Sequence, residues 1–387
     1  MDRVVQSAVL FLVVLACGVG ARPSQGYEEY IYEHLPELLD RLQRLDYADK
    51  PSINTLEPRV APHWPASDVS IGQVGGIAVD PTTGDILVFH RGEREWGYNS
   101  FVGDKFAPGQ HTIKNNTILR LDRATGHILD SFGADRFYMP HGLTVDHAGN
   151  LWVTDVGLHQ VMMFPKGSHE PSDIVLGEAG IPGSDDDHFC KPTDVAVASN
   201  GDFFVSDGYC NGRIMKFSKK GHLLKQWGKK SSDGNTGSLS EDEFFVPHSL
   251  ALIEARNIIC VADREHGRIQ CFTAGLNNGT EAGYFVHSFD NPEFGKVFAI
   301  AYDNNGPEEA MYLVSGPMPN AFLFKINLNG EILFRTEPPN QFAKEDKTGG
   351  FGQPHDLAVS QDGREIYTGE IVPNRALKFC YGRCTQR

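Results

Sequence analysis

Gly142-Leu-Thr-Val-Asp146, Asn150-Leu-Trp-Val-Thr-Asp155 and Gln160-Val-Met-Met-Phe164 form the stretch whose reading decides the fold. Each is a short apolar run rich in β-branched and aromatic residues, bounded by Asp, Gly or Asn. That is the composition of strands joined by tight turns. The same unit recurs along the chain. Its first strands are Gly76–Asp80, Asp194–Ala198, Ser249–Ile253, Phe298–Asp303 and Asp356–Ser360. These lead into Asp85–His90, Asp202–Asp207, Asn257–Asp263, Ala310–Val314 and Glu365–Gly369, each followed by a third apolar run. Six copies, roughly 50–65 residues apart, with fourth strands such as Gly221–Trp227, predict six four-stranded antiparallel sheets. Packed radially, such sheets hide their edges by repetition, so the expected fold is all-β, a six-bladed β-propeller. A pair of open β-sandwiches is the competing arrangement.

Outside the repeats the chain reads differently. Arg3 followed by the apolar run to Val19, ending in Val19-Gly20-Ala21, reads as a signal peptide over residues 1–21. The run is too short for a membrane span of about 20 apolar residues, and no later stretch is long enough. Residues 22–65 form a separate segment, with Ile31, Leu35, Leu38, Leu39, Leu42 and Leu45 at helical spacing and Pro36 interrupting. The propeller is expected over residues 66–387.

A leader implies the secretory pathway, as a secreted protein or in a granule lumen. Of seven cysteines, Cys17 falls in the leader, leaving six, an even number suited to an oxidising compartment. Asn115 and Asn278 head glycosylation sequons. A formal charge of −15 disfavours nucleic acid and anionic membranes as partners.

Three histidines occupy one position of the repeat. Met139-Pro-His141-Gly-Leu143, Val246-Pro-His248-Ser-Leu250 and Gln353-Pro-His355-Asp-Leu357 each open a first strand, and 107 residues separate each histidine from the next. Copies one, three and five carry Gly75, Thr193 and Phe298 there. Alternate blades of a six-bladed ring stand about 120° apart, so His141, His248 and His355 should converge on the axis. Three neutral imidazoles with a fourth position open describe a catalytic zinc site. A single such histidine would ordinarily be structural; three at one slot, every second blade, argue for a metal, Zn²⁺ ahead of iron, cobalt or manganese.

The repeats resemble NHL repeats. Beyond that, Pro-His141-Gly-Leu, His188-Phe-Cys190-Lys-Pro-Thr-Asp194, Ser-Asp207-Gly-Tyr209-Cys210-Asn, Val-Pro-His248-Ser-Leu and Cys260-Val-Ala-Asp-Arg264-Glu resemble the peptidyl-α-hydroxyglycine α-amidating lyase family over roughly residues 65–380. The resemblance implies cleavage of a peptide ending in α-hydroxyglycine to an amidated peptide and glyoxylate. It implies zinc on His141, His248 and His355, and Tyr209 as the base. Arg91 is then the carboxylate holder, since a guanidinium makes two parallel hydrogen bonds to a carboxylate, and Arg264 stabilises Tyr209. It also implies Ca²⁺ in the channel, held by the carbonyls of Ile77 and Leu143 and the carboxylate of Asp356. The upstream segment is too short for a copper monooxygenase domain, so a stand-alone lyase is expected, supplied with substrate by a separate peptidylglycine hydroxylating monooxygenase.

A Cys190–Cys210 bridge would anchor the Tyr209 loop. Cys260 and Cys271 lie on adjacent strands of blade four and can meet across a hairpin, leaving Cys380 and Cys384 to pair. The family usually has Met where this chain has Gln353, a polar neighbour of His355 that would alter the channel lining. Propellers host unrelated functions. A non-catalytic extracellular interaction protein would need no histidine triad, and a calcium-dependent lactonase would ring its axis with Asp, Glu and Asn instead.

Overall fold

The structure is a computed structural model that describes residues 57–387 except 232–239, 278, 306–307, 317–320, 340–349, 383 and 385–387. The leader over 1–21, the helix read around Tyr27–Arg44 and the Asn278 sequon lie outside the described residues.

Six four-stranded antiparallel sheets follow one another along the chain. Their inner strands are Val74–Val79, Pro140–Val145, Pro192–Val197, Pro247–Ile253, Lys296–Asp303 and Gln353–Val359, for blades one to six. The inner three strands of each blade are nearly continuous in apolar residues because both sheet faces are covered by neighbouring blades. Buried side chains accordingly gather into clusters at the blade boundaries. Ala251, Cys260 and Ile269 of blade four, for example, meet Val297, Met311 and Phe324 of blade five. The fourth strands, such as Leu223–Trp227, are largely exposed.

The ring closes with a strand from the other end of the chain. Arg59–Val60 pairs antiparallel with Arg375–Cys380, putting Arg59 opposite Cys380, and completes blade six as its outermost strand. The propeller therefore begins by Arg59 rather than at residue 66. A two-residue strand carries too little pattern to be read locally; its partner, hundreds of residues away, creates it. Disulfides join Cys190–Cys210, Cys260–Cys271 and Cys380–Cys384. Among the described residues no helix is long and apolar enough to cross a membrane.

Blade one departs from the repeat. Between its second strand, Ile86–His90, and its third, Ile118–Leu121, runs an insertion holding a small hairpin of Phe101–Val102 and Lys105–Phe106. Blades one and two approach so closely at the axis that Gly76 has no room for a side chain. An added Cβ would lie 2.6 Å from Leu143 Cβ and 2.7 Å from its backbone nitrogen. Backbone cannot swing aside as a side-chain tip can. Gly76→Ala should destabilise the fold by about 1–3 kcal/mol, the usual cost of overpacking, measured as a lower denaturation midpoint at unchanged m-value.

Candidate metal centre and active site

One hydrogen-bond device positions the inner strands. The side chain ending the second strand of a blade accepts a main-chain N–H just before that blade's inner strand. Asp155 accepts from Tyr138 and Met139 at 2.7 and 3.0 Å. Asp207 accepts from Cys190 at 2.8 Å and Asp263 from Phe245 at 2.7 Å. In blade one the acceptor is His90, from Gly72 at 3.1 Å, and in blade six Glu370, from Gly352 at 2.8 Å. The recurrent Asp at the second strand's end thus aims the residue three or so places on, the slot occupied by His141, His248 and His355.

The three imidazoles meet. Their ring centroids are 4.8, 4.7 and 4.7 Å apart, and one nitrogen of each lies within 4.8 Å of the others. All three are buried. Each Nδ1 faces a main-chain carbonyl of the next blade: His141 to Thr193 at 2.8 Å, His248 to Phe298 at 2.6 Å, and His355 to Gly75 at 2.8 Å. Those acceptors are the residues at the same slot in blades three, five and one. A carbonyl oxygen can only accept, so Nδ1 carries the proton and the Nε2 lone pair faces the axis, as a metal ligand requires. Burial pushes all three imidazoles well below the usual histidine pKa, helped for His141 and His355 by Arg91 and for all three by Arg264. Neutral rings are the form that binds metal.

Tyr209 reaches this cluster. Its hydroxyl lies 2.9 Å from His141 Nε2, 3.3 Å from His248 Nε2 and 3.3 Å from Arg264 Nη1. The Tyr209 backbone is left-handed at φ 54°, which is uncommon for a non-glycine residue, and Cys210 next to it is tied to Cys190. Burial raises the phenol pKa, while the positive charges of Arg264 and Arg91 oppose that rise. The Arg264 guanidinium stacks between the rings of Tyr209 and Phe298, 5.1 Å from each centroid, and is paired with Glu265.

Arg91 is fully buried. Its Nε donates to the Pro140 carbonyl at 3.0 Å and its Nη1 to Gln73 Oε1 at 2.8 Å. Its Nη2 is buried and has no hydrogen-bond partner among the described residues. Burial lowers its pKa to about 10, so it stays a cation at neutral pH. A buried guanidinium with an unsatisfied nitrogen fits an incoming carboxylate.

One residue beyond the histidine slot stand two carboxylates, Asp194 on blade three and Asp356 on the opposite blade six. Asp356 accepts from Ile77 N–H at 2.7 Å and Leu357 N–H at 2.9 Å. Asp194 accepts from Val195 and Leu250, each at 2.8 Å. Burial lifts both, Asp194 to about 7 and Asp356 well above the ordinary carboxylate value, the latter also through the Asp194 charge. Ile77, Leu143, Asp194 and Asp356 line one axial cavity of about 600 Å³. Two carboxylates held this way lack a neutralising cation among the described side chains, and hard oxygen donors suit calcium. Gln353 lies half-buried at the start of its strand, and Asn115 is exposed, its amide donating to Glu93 at 2.9 Å.

NHL repeat motifs match residues 137–162, 189–217 and 246–272, the histidine- and tyrosine-bearing parts of blades two to four. A protein of Caenorhabditis elegans named as a probable peptidyl-α-hydroxyglycine α-amidating lyase is 42% identical over 317 residues, which are 80% of this chain and 83% of that protein. The chain belongs to the peptidyl-α-hydroxyglycine α-amidating lyase family. Lyase 1 of Drosophila melanogaster is 39% identical over 82% of the chain, and the Xenopus laevis peptidyl-glycine α-amidating monooxygenase A 41% identical over 84%. The chain spans 59% of the first of these relatives and 33% of the second.

Three further residues at this site have no role legible in the sequence. Asp194 stands there only within a repeat strand and a family motif. Gln73 precedes the first blade without any motif. Trp96, in the blade-one insertion, has no counterpart in other blades, yet its ring lies 5.0 Å from Tyr209 and 6.2 Å from His141. Gln73 Oε1 accepts both Arg91 Nη1 and Trp96 N–H, at 2.8 and 2.9 Å. Gln73→Leu keeps the volume but strands both donors. It should cost about 1–3 kcal/mol of stability, read by denaturant unfolding.

Proposed function

We propose that this protein is a zinc-dependent lyase that converts peptidyl-α-hydroxyglycine to the amidated peptide and glyoxylate. The observation that carries the reading is the convergence of three neutral Nε2 atoms, from His141, His248 and His355, beside the Tyr209 hydroxyl. Nitrogen-only donors favour Zn²⁺. When bound, the metal would act as a Lewis acid and make the substrate's α-hydroxyl more acidic.

The chain's own residues would do the rest. Arg91 binds the substrate carboxylate through its spare Nη2. Tyr209, its phenolate favoured by Arg264, takes the proton from the α-hydroxyl oxygen. The O–H electrons form the aldehyde C=O of glyoxylate as the C–N bond breaks, and the departing amide nitrogen takes up the proton that Tyr209 accepted, which returns Tyr209 to the phenolate. Nothing is oxidised or reduced, and no water is consumed.

Asp356, with the carbonyls of Ile77 and Leu143, would hold calcium in the axial channel. Ile77 supports this because its N–H meets the Asp356 carboxylate at 2.7 Å, and N–H and C=O of one strand residue point to the same side. Three disulfides and the exposed Asn115 sequon support passage through the secretory pathway. Its substrates would be peptides hydroxylated on a terminal glycine by a separate monooxygenase.

Purified protein given an α-hydroxyglycine-extended peptide should release glyoxylate, and a zinc chelator should abolish the release. Absence of chelator-sensitive glyoxylate would overturn the assignment. Tyr209→Phe should retain its zinc by elemental analysis while turnover falls roughly a hundredfold to ten-thousandfold, the usual range for a lost proton-transfer group. Loss of zinc along with activity would instead make Tyr209 a structural support of the triad.

A further inference from the structure

We propose that Trp96 forms the wall against which the side chain preceding the α-hydroxyglycine packs, so that the blade-one insertion sets preference among peptides. This rests on the lyase reading above. Its ground is where the insertion lies. The Trp96 ring stands over the Arg91 guanidinium at 5.1 Å and beside the Tyr209 ring at 5.0 Å. It therefore bridges the group assigned to the carboxylate and the group assigned to the hydroxyl proton. A substrate that reaches both at once has its carboxylate and hydroxyl directed inward. Its amide nitrogen and preceding residue are left to pass along the indole.

The insertion is fastened where a wall would need to be. Gln73 pins the Trp96 backbone, and Phe101 packs on the Trp96 ring at 5.3 Å. The hairpin then crosses to blades two and three, where Phe106 meets Tyr138 at 5.5 Å and Lys191 pairs with Asp104 at 3.2 Å. Trp96 itself stays partly exposed, and Tyr98, two residues on, is fully exposed. An aromatic held rigid by its neighbours and still partly exposed costs little entropy when it receives an apolar partner. The wall would thus favour a bulky apolar residue before the α-hydroxyglycine over glycine.

The test compares two peptides that differ only there, Phe-α-hydroxyglycine against Gly-α-hydroxyglycine, in wild type, Trp96→Ala and Trp96→Phe, each checked for zinc content. An aromatic pair is worth roughly 0.5–1.5 kcal/mol, so Trp96→Ala should erase a preference in kcat/KM of about two- to tenfold. The loss in kcat/KM should be larger for the Phe peptide than for the Gly peptide and should appear chiefly in KM, and Trp96→Phe should recover most of the preference. A Trp96→Ala protein whose Phe-to-Gly ratio equals that of wild type would overturn the proposal. An equal fall in kcat for both peptides would also do so, marking Trp96 as a support for Tyr209. Either result leaves the lyase reading standing, which fails only if wild type releases no glyoxylate from either peptide.

Discussion

Each of the three axial imidazoles is oriented by one hydrogen bond across a blade boundary, from Nδ1 to the main-chain carbonyl at the same slot of the next blade. The acceptor is backbone, so its position is set by the sheet and not by a rotamer. The bond works only if adjacent inner strands stand in register to within a fraction of an ångström. That register is a property of the whole ring, since a gap opened at any blade boundary widens the axis for all six. The Arg59–Val60 strand, which ties the start of the propeller to its last blade, and the Asp, His or Glu clasps that hold the approach of five inner strands serve the same geometry.

The histidine triad is buried in its neutral form. Burying three imidazoles together would be unfavourable if they were charged, because burial and their neighbours, Arg91 and Arg264, all disfavour the protonated form. Held neutral, each ring leaves one lone pair toward the axis. One residue further along the inner strands the balance reverses: burial raises the proton affinity of both Asp194 and Asp356, and the Asp194 charge raises that of Asp356 further. The axis is therefore layered, with nitrogen donors and guanidinium groups at one level and carboxylates and carbonyls at the next. A soft-to-borderline cation and an anionic substrate suit the first layer; a hard cation suits the second.

The propeller was readable because a fold made of one unit repeated six times writes its period into the sequence, and the alternation of apolar strand and tight turn survives in every copy. The convergence of His141, His248 and His355 was readable for the same reason, as equal positions in equal units map onto a ring. What lacked a period was not readable. Arg59–Val60 acquires its strand only from a partner at the far end of the chain. Gln73 and Trp96 matter through contacts with Arg91 and Tyr209 that no spacing announces. Asp194 fitted the strand pattern so well that its facing Asp356 across the channel left no separate trace. The two arginines and Tyr209 sit between these cases: their places after second strands were legible, but the Nη2 left spare on Arg91 and the left-handed turn at Tyr209 are products of packing.

Symmetry also sets a limit on what six equal blades can do. A ring that repeats every 60°, or every 120° for the histidines, presents the same face to any orientation of a ligand and cannot distinguish the carboxylate of a substrate from its amide. Discrimination has to come from residues that break the repeat at a single blade. On the lyase reading these would be Arg91 on blade one, Tyr209 on blade three and Arg264 on blade four, with the insertion carrying Trp96 laid across from the first toward the second. The repeat builds the symmetric histidine triad, and the departures from it give the site a direction.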